Sequence, residues 1–489
     1  MSSLFIDGSW TAGSGGTEVD VVNPFDRSIV AKVEWATAAD VDRAVTAAAT
    51  AFAQGEWPGT PARERAALLD RTAELLLRDK EEIARTETLD TGKTLIESRV
   101  DVDDVVAVFR YYADLADKDA GRVVDTGNPT VLSRIVYEPV GVCALITPWN
   151  YPLLQISWKV APALAAGNTV VIKPSEVTPL STVHLVRLLQ EAGAPRGVVN
   201  LVLGDGRNAG APLVEHPGVD MVSFTGGLAT GQAIMRAGAT TVKKVAVELG
   251  GKNPNIVFAD TDFETVVDNA LTAVFLHAGQ VCSAGARLIV EDALHDDLVE
   301  AVAERADRIR LGNGLDAATE SGPLVSEAQR AKIEDFVASA RAEGGRIVAG
   351  GRRPDEPDLQ AGFFYRPTVV ADCNRDMRVI REETFGPILT VERFATEADA
   401  VRLGNDTEYG LAGAVWTNDG ARAQRVAGAL RHGTIWINDY HPYVPQAEWG
   451  GFKRSGNGRE LGPTGLAEYR EAKHIWHNTA PAPQGWFRG

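Results

Sequence analysis

One of the three cysteines stands in a sequence that suits catalysis. Cys282 lies in the segment Gly-Gln-Val-Cys-Ser-Ala-Gly at 279–285, whose small residues and flanking glycines argue against core packing and let a ligand approach the backbone. Cys143 lies in the apolar run Val-Cys-Ala-Leu and is expected to be an inert strand residue. Cys373 falls in a polar turn and is expected to be incidental. The surroundings therefore favour Cys282 as a nucleophilic thiol.

A thiol that forms an acyl intermediate needs a base to activate the water that releases the product. Glu248 ends an apolar run, where burial would raise its pKa, and the alternative at a strand end is a simple surface carboxylate. Asn150 could donate its amide N–H to an oxyanion, although an asparagine in a Pro-bounded turn is usually an Asx-turn residue. His277 is expected to be a packed or solvent-facing histidine rather than an activator of Cys282. Together these signals indicate covalent catalysis.

Glycines and an acidic residue at two strand ends suggest a nucleotide site. The turn at 147–152, after the first strand of the predicted sheet, lacks the glycines of the usual dinucleotide fingerprint. Gly226 and Gly227 instead follow the fourth strand and precede a helix, where backbone N–H groups would meet phosphate; a tight turn is the alternative. Glu176 follows the second strand, where an acid can accept hydrogen bonds from ribose hydroxyls, and a solvated charged turn is equally compatible.

The elements that must position these residues alternate between strand and helix. Helical patterns with one apolar face open at Thr178 and Pro179 and span 292–309, and the segment 38–114 is expected to form several helices. This alternation predicts an α/β fold with a doubly wound parallel sheet and a second α/β domain. The predicted strands are 140–146, 169–172, 198–203, 219–224 and 242–247 in the first sheet, and 255–258, 287–290, 388–391, 411–417 and 434–437 in the second.

Composition excludes several classes of function. A chain of 489 residues predicts two or three packed units, and its net charge of −17 opposes binding to nucleic acid or anionic membranes. The beginning of the sequence lacks the cationic and apolar regions of a secretory signal, so a cytoplasmic location is expected. Three cysteines are too few for a disulfide framework, and the eight histidines are too scattered for a catalytic metal site.

The chain resembles the aldehyde dehydrogenase superfamily over nearly its whole length. Within the superfamily it is most similar to the bacterial betaine aldehyde dehydrogenases, through 277–285 and the sequence Trp-Ile-Asn-Asp-Tyr-His-Pro-Tyr at 436–443. The motifs that carry the wider resemblance are Pro-Trp-Asn-Tyr-Pro at 148–152, Lys-Pro-Ser-Glu at 173–176, Phe-Thr-Gly-Gly at 224–227, Glu-Leu-Gly-Gly-Lys at 248–252, Gly-Gln-Val-Cys at 279–282, Glu-Thr-Phe-Gly-Pro at 383–387 and Gly-Gly-Phe-Lys-Arg-Ser-Gly at 450–456.

The resemblance implies an aldehyde dehydrogenase fold of three parts. β ribbons predicted at 131–136 and 473–476 fit the smallest part, and their unpaired edges favour a homo-oligomer, either a dimer or a tetramer. The implied parts are a Rossmann-like NAD-binding domain at 1–121 and 141–250, an α/β catalytic domain at 251–465, and a small β oligomerisation arm at 122–140 and 466–489.

The resemblance also implies a role for each catalytic residue. Cys282 would be the nucleophile, Glu248 the general base, and Asn150 the oxyanion donor together with the backbone N–H of Cys282. Lys159 and Glu460 would lie on a proton exit path.

NAD is the implied cofactor. Lys173 and Glu176 would bind the adenosine ribose, and Glu383 and Phe385 would lie on the nicotinamide side. Many relatives have serine at the position of Gly227, so a hydroxyl contact with the pyrophosphate is absent here. The residues implied for NAD binding are Thr147, Trp149, Lys173, Ser175, Glu176, Gly206, Phe224, Gly226, Gly227, Leu249, Glu383 and Phe385.

Tyr151, Trp158 and Trp449 match the family's aromatic box for a trimethylammonium group. Ring faces attract such a cation by about 0.5 to 2 kcal/mol per contact, so betaine aldehyde, oxidised to glycine betaine, is the implied substrate. The alternatives are a broad aldehyde or aminoaldehyde dehydrogenase, in which these rings are only apolar lining, and a non-catalytic protein that keeps the fold. A coenzyme-A-acylating relative is disfavoured because Glu248 supplies a hydrolytic base.

Overall fold

The computed structural model describes residues 3–118 and 120–487. Helices and strands alternate through most of this range, as the sequence predicts. The α-helices, α1 to α15 in chain order, span Ala38–Gln54, Ala62–Arg78, Lys80–Thr91, Leu95–Ala116, Pro152–Ala166, Leu180–Glu191, Ala211–Glu215, Leu228–Gly238, Phe263–Phe275, Asp292–Arg308, Glu327–Ala342, Arg378–Arg381, Glu397–Asn405, Gly420–Ala429 and Gly462–Glu468.

The strands form two large and two small sheets within the described residues. In chain order, β1 to β19 span Leu4–Ile6, Ser9–Thr11, Glu18–Val22, Ile29–Glu34, Arg122–Val124, Val131–Pro139, Val142–Ile146, Thr169–Lys173, Val199–Leu201, Met221–Gly226, Lys244–Leu249, Pro254–Val257, Arg287–Glu291, Arg346–Ala349, Thr368–Ala371, Ile388–Phe394, Ala412–Trp416, Thr434–Ile437 and Arg470–Asn478.

The first large sheet has the order β11-β10-β7-β8-β9-β1-β2. Strands β7 to β11 pair with one another in parallel, whereas β1 pairs antiparallel with β9. Strands β7 and β8 are buried at every residue, as expected for a sheet covered by helices on both faces. The five predicted strands of this sheet are confirmed, and the short edge hairpin β1-β2 was not predicted. Because β7, β8, β10 and β11 are parallel, their carboxyl ends meet at one edge.

Helix α5 carries residues from this edge into the interior. Pro152 occupies its first turn, where a missing N–H costs nothing, and Gly167 ends it in the left-handed conformation at φ 94°. Every residue of α5 is buried. Trp158 and Lys159 are therefore interior residues, one apolar and one charged.

The second large sheet has the order β14-β15-β16-β13-β12-β17-β18. Its pairs are parallel except β14 with β15, and the predicted strands at 255–258, 287–290, 388–391, 411–417 and 434–437 are confirmed as β12, β13, β16, β17 and β18. Strands β14 and β15 were not predicted; each has four residues, and the register of their pairing shifts between Ile347 and Ala349.

The two small sheets lie at the surface. Strands β3 and β4 form an antiparallel pair, and β19-β6-β5 form a three-stranded sheet. Strand β6 pairs with β19 from Pro139 opposite Arg470 to Val131 opposite Asn478, which confirms the two predicted ribbons and lengthens both. Apolar side chains remain exposed on this sheet, among them Trp476 at 58%.

Candidate active site

Cys282 lies in the connection between α9 and β13. Its carbonyl oxygen accepts a hydrogen bond from Nδ2 of Asn253 at 2.9 Å, which fixes the backbone on one side of the thiol. Burial first, and the carboxylates of Glu383 and Glu248 second, raise the pKa of the Cys282 thiol to about 12. The thiol is therefore protonated at neutral pH, and a base must take its proton when it attacks.

The backbone before Cys282 is strained. His277 and Ala278 have φ values of 47° and 51°, and Gly279 follows at 73°. The left-handed region costs a residue with a side chain about 1 to 2 kcal/mol, and such residues cluster at functional sites. The sequence predicts a packed or a solvent-facing ring for His277, and the structure shows a packed one. The ring is buried and lies edge-on against Tyr151, with 5.5 Å between the ring centroids. Burial first, and the Lys93 charge second, hold the pKa of His277 well below its usual range, so the ring is neutral.

Asn150 is tied to the same connection. Its Nδ2 donates to the carbonyl oxygen of Gln280 at 2.9 Å, and Oε1 of Gln280 accepts from the backbone N–H of Val325 at 2.9 Å. An amide nitrogen carries two N–H groups, so this bond leaves one for an oxyanion. Asn150 and Cys282 line the same cavity, which puts the predicted donor beside the predicted nucleophile.

Glu248 is the penultimate residue of strand β11 and lines this cavity as well. It is 4% exposed, so it is not the surface carboxylate of the alternative interpretation. Neither carboxylate oxygen has a hydrogen-bond partner among the described residues. Burial first, and the neighbouring Glu460 second, raise the pKa of Glu248 well above its usual range. A buried carboxylate with a raised pKa is suited to proton transfer near neutral pH.

Lys159 and Glu460 form an ion pair behind Glu248, and both side chains are buried. Nζ of Lys159 also donates to Oγ of Ser223 at 3.1 Å. The backbones of Glu460 and Trp449 exchange two hydrogen bonds of 2.7 and 2.8 Å. The second oxygen of Glu460 has no partner among the described residues, so this carboxylate can still accept a proton.

A cleft of about 400 Å³ opens at the carboxyl edge of the first sheet. Nζ of Lys173 lies 3.7 Å from Oε2 of Glu176, and helix α8 begins at Leu228, directly after the glycine pair. A Cβ on Gly226 would lie 2.4 Å from the Phe224 ring, so only glycine fits there. The predicted residues that line the cleft are Thr147, Trp149, Lys173, Ser175, Glu176, Gly206, Phe224, Gly226 and Gly227.

A second cavity, of about 180 Å³, continues this cleft towards the thiol. The two share Trp149, Gly226 and Gly227, and the second adds the predicted residues Leu249, Glu383 and Phe385. Oε1 of Glu383 accepts from the backbone N–H of Gly251 at 3.0 Å. The rings of Trp149 and Phe385 meet edge to face at 5.2 Å.

The continuous cleft fits a dinucleotide. Oγ1 of Thr147 and Oγ1 of Thr225 are buried hydroxyls without a partner in the described part of the chain, and both residues line it. The N-terminus of α8 offers backbone N–H groups beside two glycines, which suits a pyrophosphate. Glu176 and Lys173 can bond ribose hydroxyls.

A third cavity, of about 590 Å³, reaches Cys282 from the other side. Trp158 lies 6.1 Å from Trp449 and 5.4 Å from Tyr443, measured between ring centroids. These rings and Tyr151 line the cavity together with the carboxylates of Asp101 and Asp104. Cys282 and Trp449 line both this cavity and the second one, so the thiol lies between a dinucleotide-shaped cleft and an aromatic chamber.

Tyr151 differs from the other two predicted rings because an internal cation covers it. Nζ of Lys93 lies 4.1 Å from the centroid of the Tyr151 ring, in the range of a cation–π interaction. The same Nζ is 2.6 Å from Asp101 and 3.3 Å from Glu87, and all these side chains are buried. One face of the Tyr151 ring is therefore not available to a substrate cation.

Sequence reasoning missed five residues that line these cavities. Gln329 and Lys332 lie on α11 and face the second cavity, whereas Asp101, Asp104 and Tyr443 line the third. Tyr443 stands in a quoted motif without an assigned role, and the hydroxyl of its side chain donates to Asp104 at 2.5 Å. Gln329, Lys332, Asp101 and Asp104 lie on helices whose pattern indicates only an exposed or a buried face.

Three further observations describe the site's surroundings. Cys143, Cys282 and Cys373 are free thiols, and Cys143 is fully buried in β7. Among residues 3–118 and 120–487, no group of three or more histidine, cysteine or carboxylate side chains could hold a metal ion. The helices in that part of the chain are all too short or too polar to cross a membrane.

Comparison with known proteins identifies the family. The model of the aldehyde dehydrogenase family matches residues 10–475. The betaine aldehyde dehydrogenase of Bacillus subtilis is 55% identical over 485 residues, 99% of either chain, and the peroxisomal aminoaldehyde dehydrogenase 1 of Pisum sativum is 43% identical over 491 residues, 99% of this chain and 97% of that protein. A crystal structure of betaine aldehyde dehydrogenase from Staphylococcus aureus in complex with NAD+ superposes with a TM-score of 0.99 at 50% identity, covering 100% of this chain and 97% of that one. The chain belongs to the aldehyde dehydrogenase family and has its α/β fold.

Proposed function

We propose that the protein oxidises an aldehyde to a carboxylic acid with NAD, and that betaine aldehyde, converted to glycine betaine, is its substrate. The observation that carries the proposal is the position of Cys282, which lies where the dinucleotide-shaped cleft meets the aromatic cavity. The relative from Bacillus subtilis and the structure from Staphylococcus aureus, both betaine aldehyde dehydrogenases, support it.

The cleft would hold NAD through residues on the first sheet. Glu176, Lys173 and Ser175 would bind the adenosine ribose, and the backbone around Gly226 and Gly227 would bind the pyrophosphate. The other contacts would come from Thr147, Trp149, Gly206, Phe224, Leu249, Glu383 and Phe385. NAD, when bound, supplies the acceptor for the hydride that leaves the substrate carbon.

The reaction begins when Sγ of Cys282 bonds to the aldehyde carbon and the thiol proton passes to a base. Glu248 is suited to accept this proton because its pKa is raised and it lines the same cavity. The carbonyl oxygen becomes an oxyanion, which the free N–H of Asn150 and the backbone N–H of Cys282 would stabilise. After loss of hydride, the acyl group remains on Cys282 as a thioester.

Water then releases the acid. Glu248 first passes the thiol proton on and becomes a carboxylate again. It then takes a proton from water, the water oxygen bonds to the thioester carbon, and the carbon–sulfur bond breaks to return the Cys282 thiolate. Each proton that Glu248 accepts would leave through Glu460, whose second oxygen has no partner in the described part of the chain, with Lys159 balancing the charge of Glu460. The non-catalytic alternative is disfavoured because the proposed nucleophile, general base and oxyanion donor all line one cavity.

The substrate proposal rests on aromatic rings. Trp158, Trp449 and Tyr443 enclose the cavity next to Cys282, and the carboxylates of Asp101 and Asp104 add negative potential there. A quaternary ammonium is attracted by both features. The same carboxylates would bind a primary ammonium, which keeps an aminoaldehyde as the second candidate, in line with the relative from Pisum sativum.

The test compares betaine aldehyde with 3,3-dimethylbutanal, its neutral isostere, by NADH absorbance. We expect the intact enzyme to prefer betaine aldehyde in kcat/KM by about tenfold or more, and Trp449→Ala to reduce that preference. An aminoaldehyde measured alongside distinguishes the second candidate. Equal use of both isosteres, or an equal loss on both in Trp449→Ala, would leave a broad aldehyde dehydrogenase, and no NADH from any aldehyde would favour the non-catalytic alternative.

The proposal includes an organisation in three parts. Residues 1–121 and 141–250 would form the cofactor domain, 251–465 the catalytic domain, and 122–140 with 466–489 an arm that pairs with another copy of the chain. The open edges of the β19-β6-β5 sheet and its exposed apolar residues support a homo-oligomer, a dimer or a tetramer. A light-scattering mass near 52 kDa, that of one chain, would contradict it. The free thiols suit a cytoplasmic location.

A further inference from the structure

Glu97 joins helix α4 to the strained turn that precedes the thiol. Its Oε2 accepts hydrogen bonds from the backbone N–H and the hydroxyl of Thr94, both at 2.7 Å, as the N3 residue of a capping box. Its Oε1 accepts the backbone N–H of His277 at 2.7 Å. One carboxylate therefore serves two partners that are 183 residues apart, and only the first of them belongs to the helix cap.

The second partner begins the strained segment. His277, Ala278 and Gly279 are three consecutive residues in the left-handed region, and the first two carry side chains that disfavour it. Such a conformation persists only where its surroundings hold it. A hydrogen bond from a backbone N–H to a carboxylate is among the stronger neutral–ionic contacts in proteins. The Glu97 contact is placed at the first residue of the strained run, where it fixes the direction of the turn.

The turn at 277–279 also fixes the positions of the reacting groups. Nε2 of Gln280 donates to the His277 carbonyl at 3.1 Å, and the Gln280 carbonyl accepts from Nδ2 of Asn150 at 2.9 Å. Cys282 follows two residues later. A shift of His277 is therefore transmitted to the oxyanion donor and to the thiol together.

We propose that Glu97 is a positioning residue, which holds the turn at 277–279 and through it sets Cys282 and Asn150 for attack. The proposal rests on the proposed role of Cys282 as nucleophile. Glu97 also lines the aromatic cavity, so a direct effect on the substrate is the competing role that the experiment must separate.

The chain itself offers the discriminating substitution. Helix α1 has the same capping box with an aspartate at N3, where Asp40 bonds both the backbone and the hydroxyl of Thr37. Glu97→Asp should therefore keep the cap of α4, while the loss of one methylene withdraws the carboxylate from His277. Thr94→Ala is the matched control, because it damages the cap and leaves the bond to His277.

The primary readout is alkylation of Cys282 by iodoacetamide, followed by mass spectrometry of its peptide so that Cys143 and Cys373 do not contribute. We expect Glu97→Asp to slow alkylation at least fivefold and to lower kcat by about 10- to 100-fold, the cost of misplacing a reacting group by about 1 Å. KM for the aldehyde should stay within twofold. Thr94→Ala should lower the thermal midpoint of unfolding but leave alkylation and kcat within twofold.

Three outcomes would overturn the proposal. In the first, Cys282 of the Glu97→Asp variant is alkylated at the wild-type rate and kcat is unchanged. In the second, Glu97→Asp raises only KM for the aldehyde. In the third, Thr94→Ala slows alkylation and lowers kcat as much as Glu97→Asp does. Glu97→Gln keeps the side-chain length and an oxygen that can accept from His277, so it should be alkylated faster than Glu97→Asp. If the aspartate variant does not fold, Glu97→Ala is compared with Thr94→Ala instead, and equal alkylation rates in those two variants would overturn the proposal. Because alkylation reads the thiol directly, it tests the turn even if no aldehyde yields NADH.

Discussion

The cofactor cleft and the aromatic cavity meet at Cys282 but are built in different ways. The cleft is formed largely at the ends of adjacent parallel strands, so its main residues come from short motifs between 147 and 249. The aromatic cavity takes its walls from α4, α5, the turn after α9, and the segment 439–449. In the cleft, glycines and backbone groups leave space for a ligand. The aromatic cavity is lined by large rings, and buried charged side chains pack behind those rings.

This difference decides how each region responds to change. A ligand that binds backbone N–H groups at the edge of a sheet depends on one rigid element, so single side chains there should have modest effects. A cavity assembled from distant segments depends on contacts such as those of Lys93 with Tyr151 and of Tyr443 with Asp104, which no single element supplies. We therefore expect substitutions to have larger effects at the junction and on the substrate side than in the cleft.

The largest effects should arise where the two regions meet. Cys282→Ala should abolish NADH production, a loss of about 10³-fold or more, because no bond to the substrate carbon can form. Glu248→Gln should produce about one NADH per active site, more slowly than the intact enzyme, and then stall, because solvent can still take the thiol proton but no base activates the water that hydrolyses the thioester. Stopped-flow absorbance at 340 nm measures both. Steady turnover by either variant at the wild-type rate would contradict these roles.

The positions of these junction residues were also the ones that the sequence predicted most directly. Asn150 and Glu248 stand at the ends of β7 and β11, and a parallel sheet brings such strand ends to one edge whatever the details of packing. Cys282 precedes β13 of the other sheet and was recognised by its small, glycine-flanked segment. The partners of these residues were not predictable, because the bond from Asn150 to Gln280 and that from His277 to Glu97 join segments 130 and 180 residues apart. The left-handed turn at His277 and Ala278 has no signal in residue type, since neither is a glycine.

The pH dependence of kcat should show which buried charges shift the pKa of Glu248. Because the general base must be deprotonated, kcat should fall as pH drops through the raised pKa of Glu248, at a higher pH than an ordinary glutamate would give. Lys159 lowers that pKa, so Lys159→Met should move the acidic limb of the kcat profile to still higher pH and reduce kcat on that limb.

The double variant Lys159→Met/Glu460→Gln is the control for this prediction. Glu460 raises the pKa of Glu248, so removing both charges should bring the limb back towards its wild-type position and avoid leaving Glu460 buried without its cation. An acidic limb that stays in place in both variants would show that Glu248 does not set it.

The aromatic cavity illustrates why the sequence predicts a substrate site incompletely. Trp158 and Trp449 were identified by motif position and do line the cavity, yet the opposite ring, Tyr443, had no assigned role. Tyr151 also lines it, but a ring partly covered by Lys93 cannot be distinguished from an open one by residue type. Which face of a ring is free depends on the side chain packed behind it, and that is a property of tertiary contacts alone.

On the cofactor side, Glu176 should determine the preference for NAD. Its carboxylate would accept ribose hydroxyls and repel a 2′-phosphate, while Lys173, 3.7 Å away, allows some use of NADP. We expect a higher kcat/KM with NAD than with NADP, and a ratio that falls about tenfold in Glu176→Ala, equivalent to about 1.4 kcal/mol. Equal kcat/KM for the two cofactors in the intact enzyme would contradict the prediction, whatever the variant does.

The smallest effect should come from substituting Gly227, the position at which many relatives have serine. Within the described part of the chain, no heavy atom lies within 4 Å of a Cβ built on this residue, so Gly227→Ser should fit without strain and leave the thermal midpoint of unfolding unchanged. The added hydroxyl would face the cleft and should change KM for NAD by about two- to threefold, less than one net hydrogen bond is worth.

Gly226→Ala is the contrasting control, because its Cβ would lie 2.4 Å from the Phe224 ring. That variant should lose stability and raise KM for NAD by a larger factor than Gly227→Ser, measured by thermal unfolding and by steady-state titration with NAD. Gly227→Ser could instead remain stable and lose affinity for NAD by tenfold or more. In that case the turn at 226–227 does not accept a side chain without losing NAD binding. The cleft would then depend on individual side chains as closely as the aromatic cavity does, and the distinction between the two regions would fail.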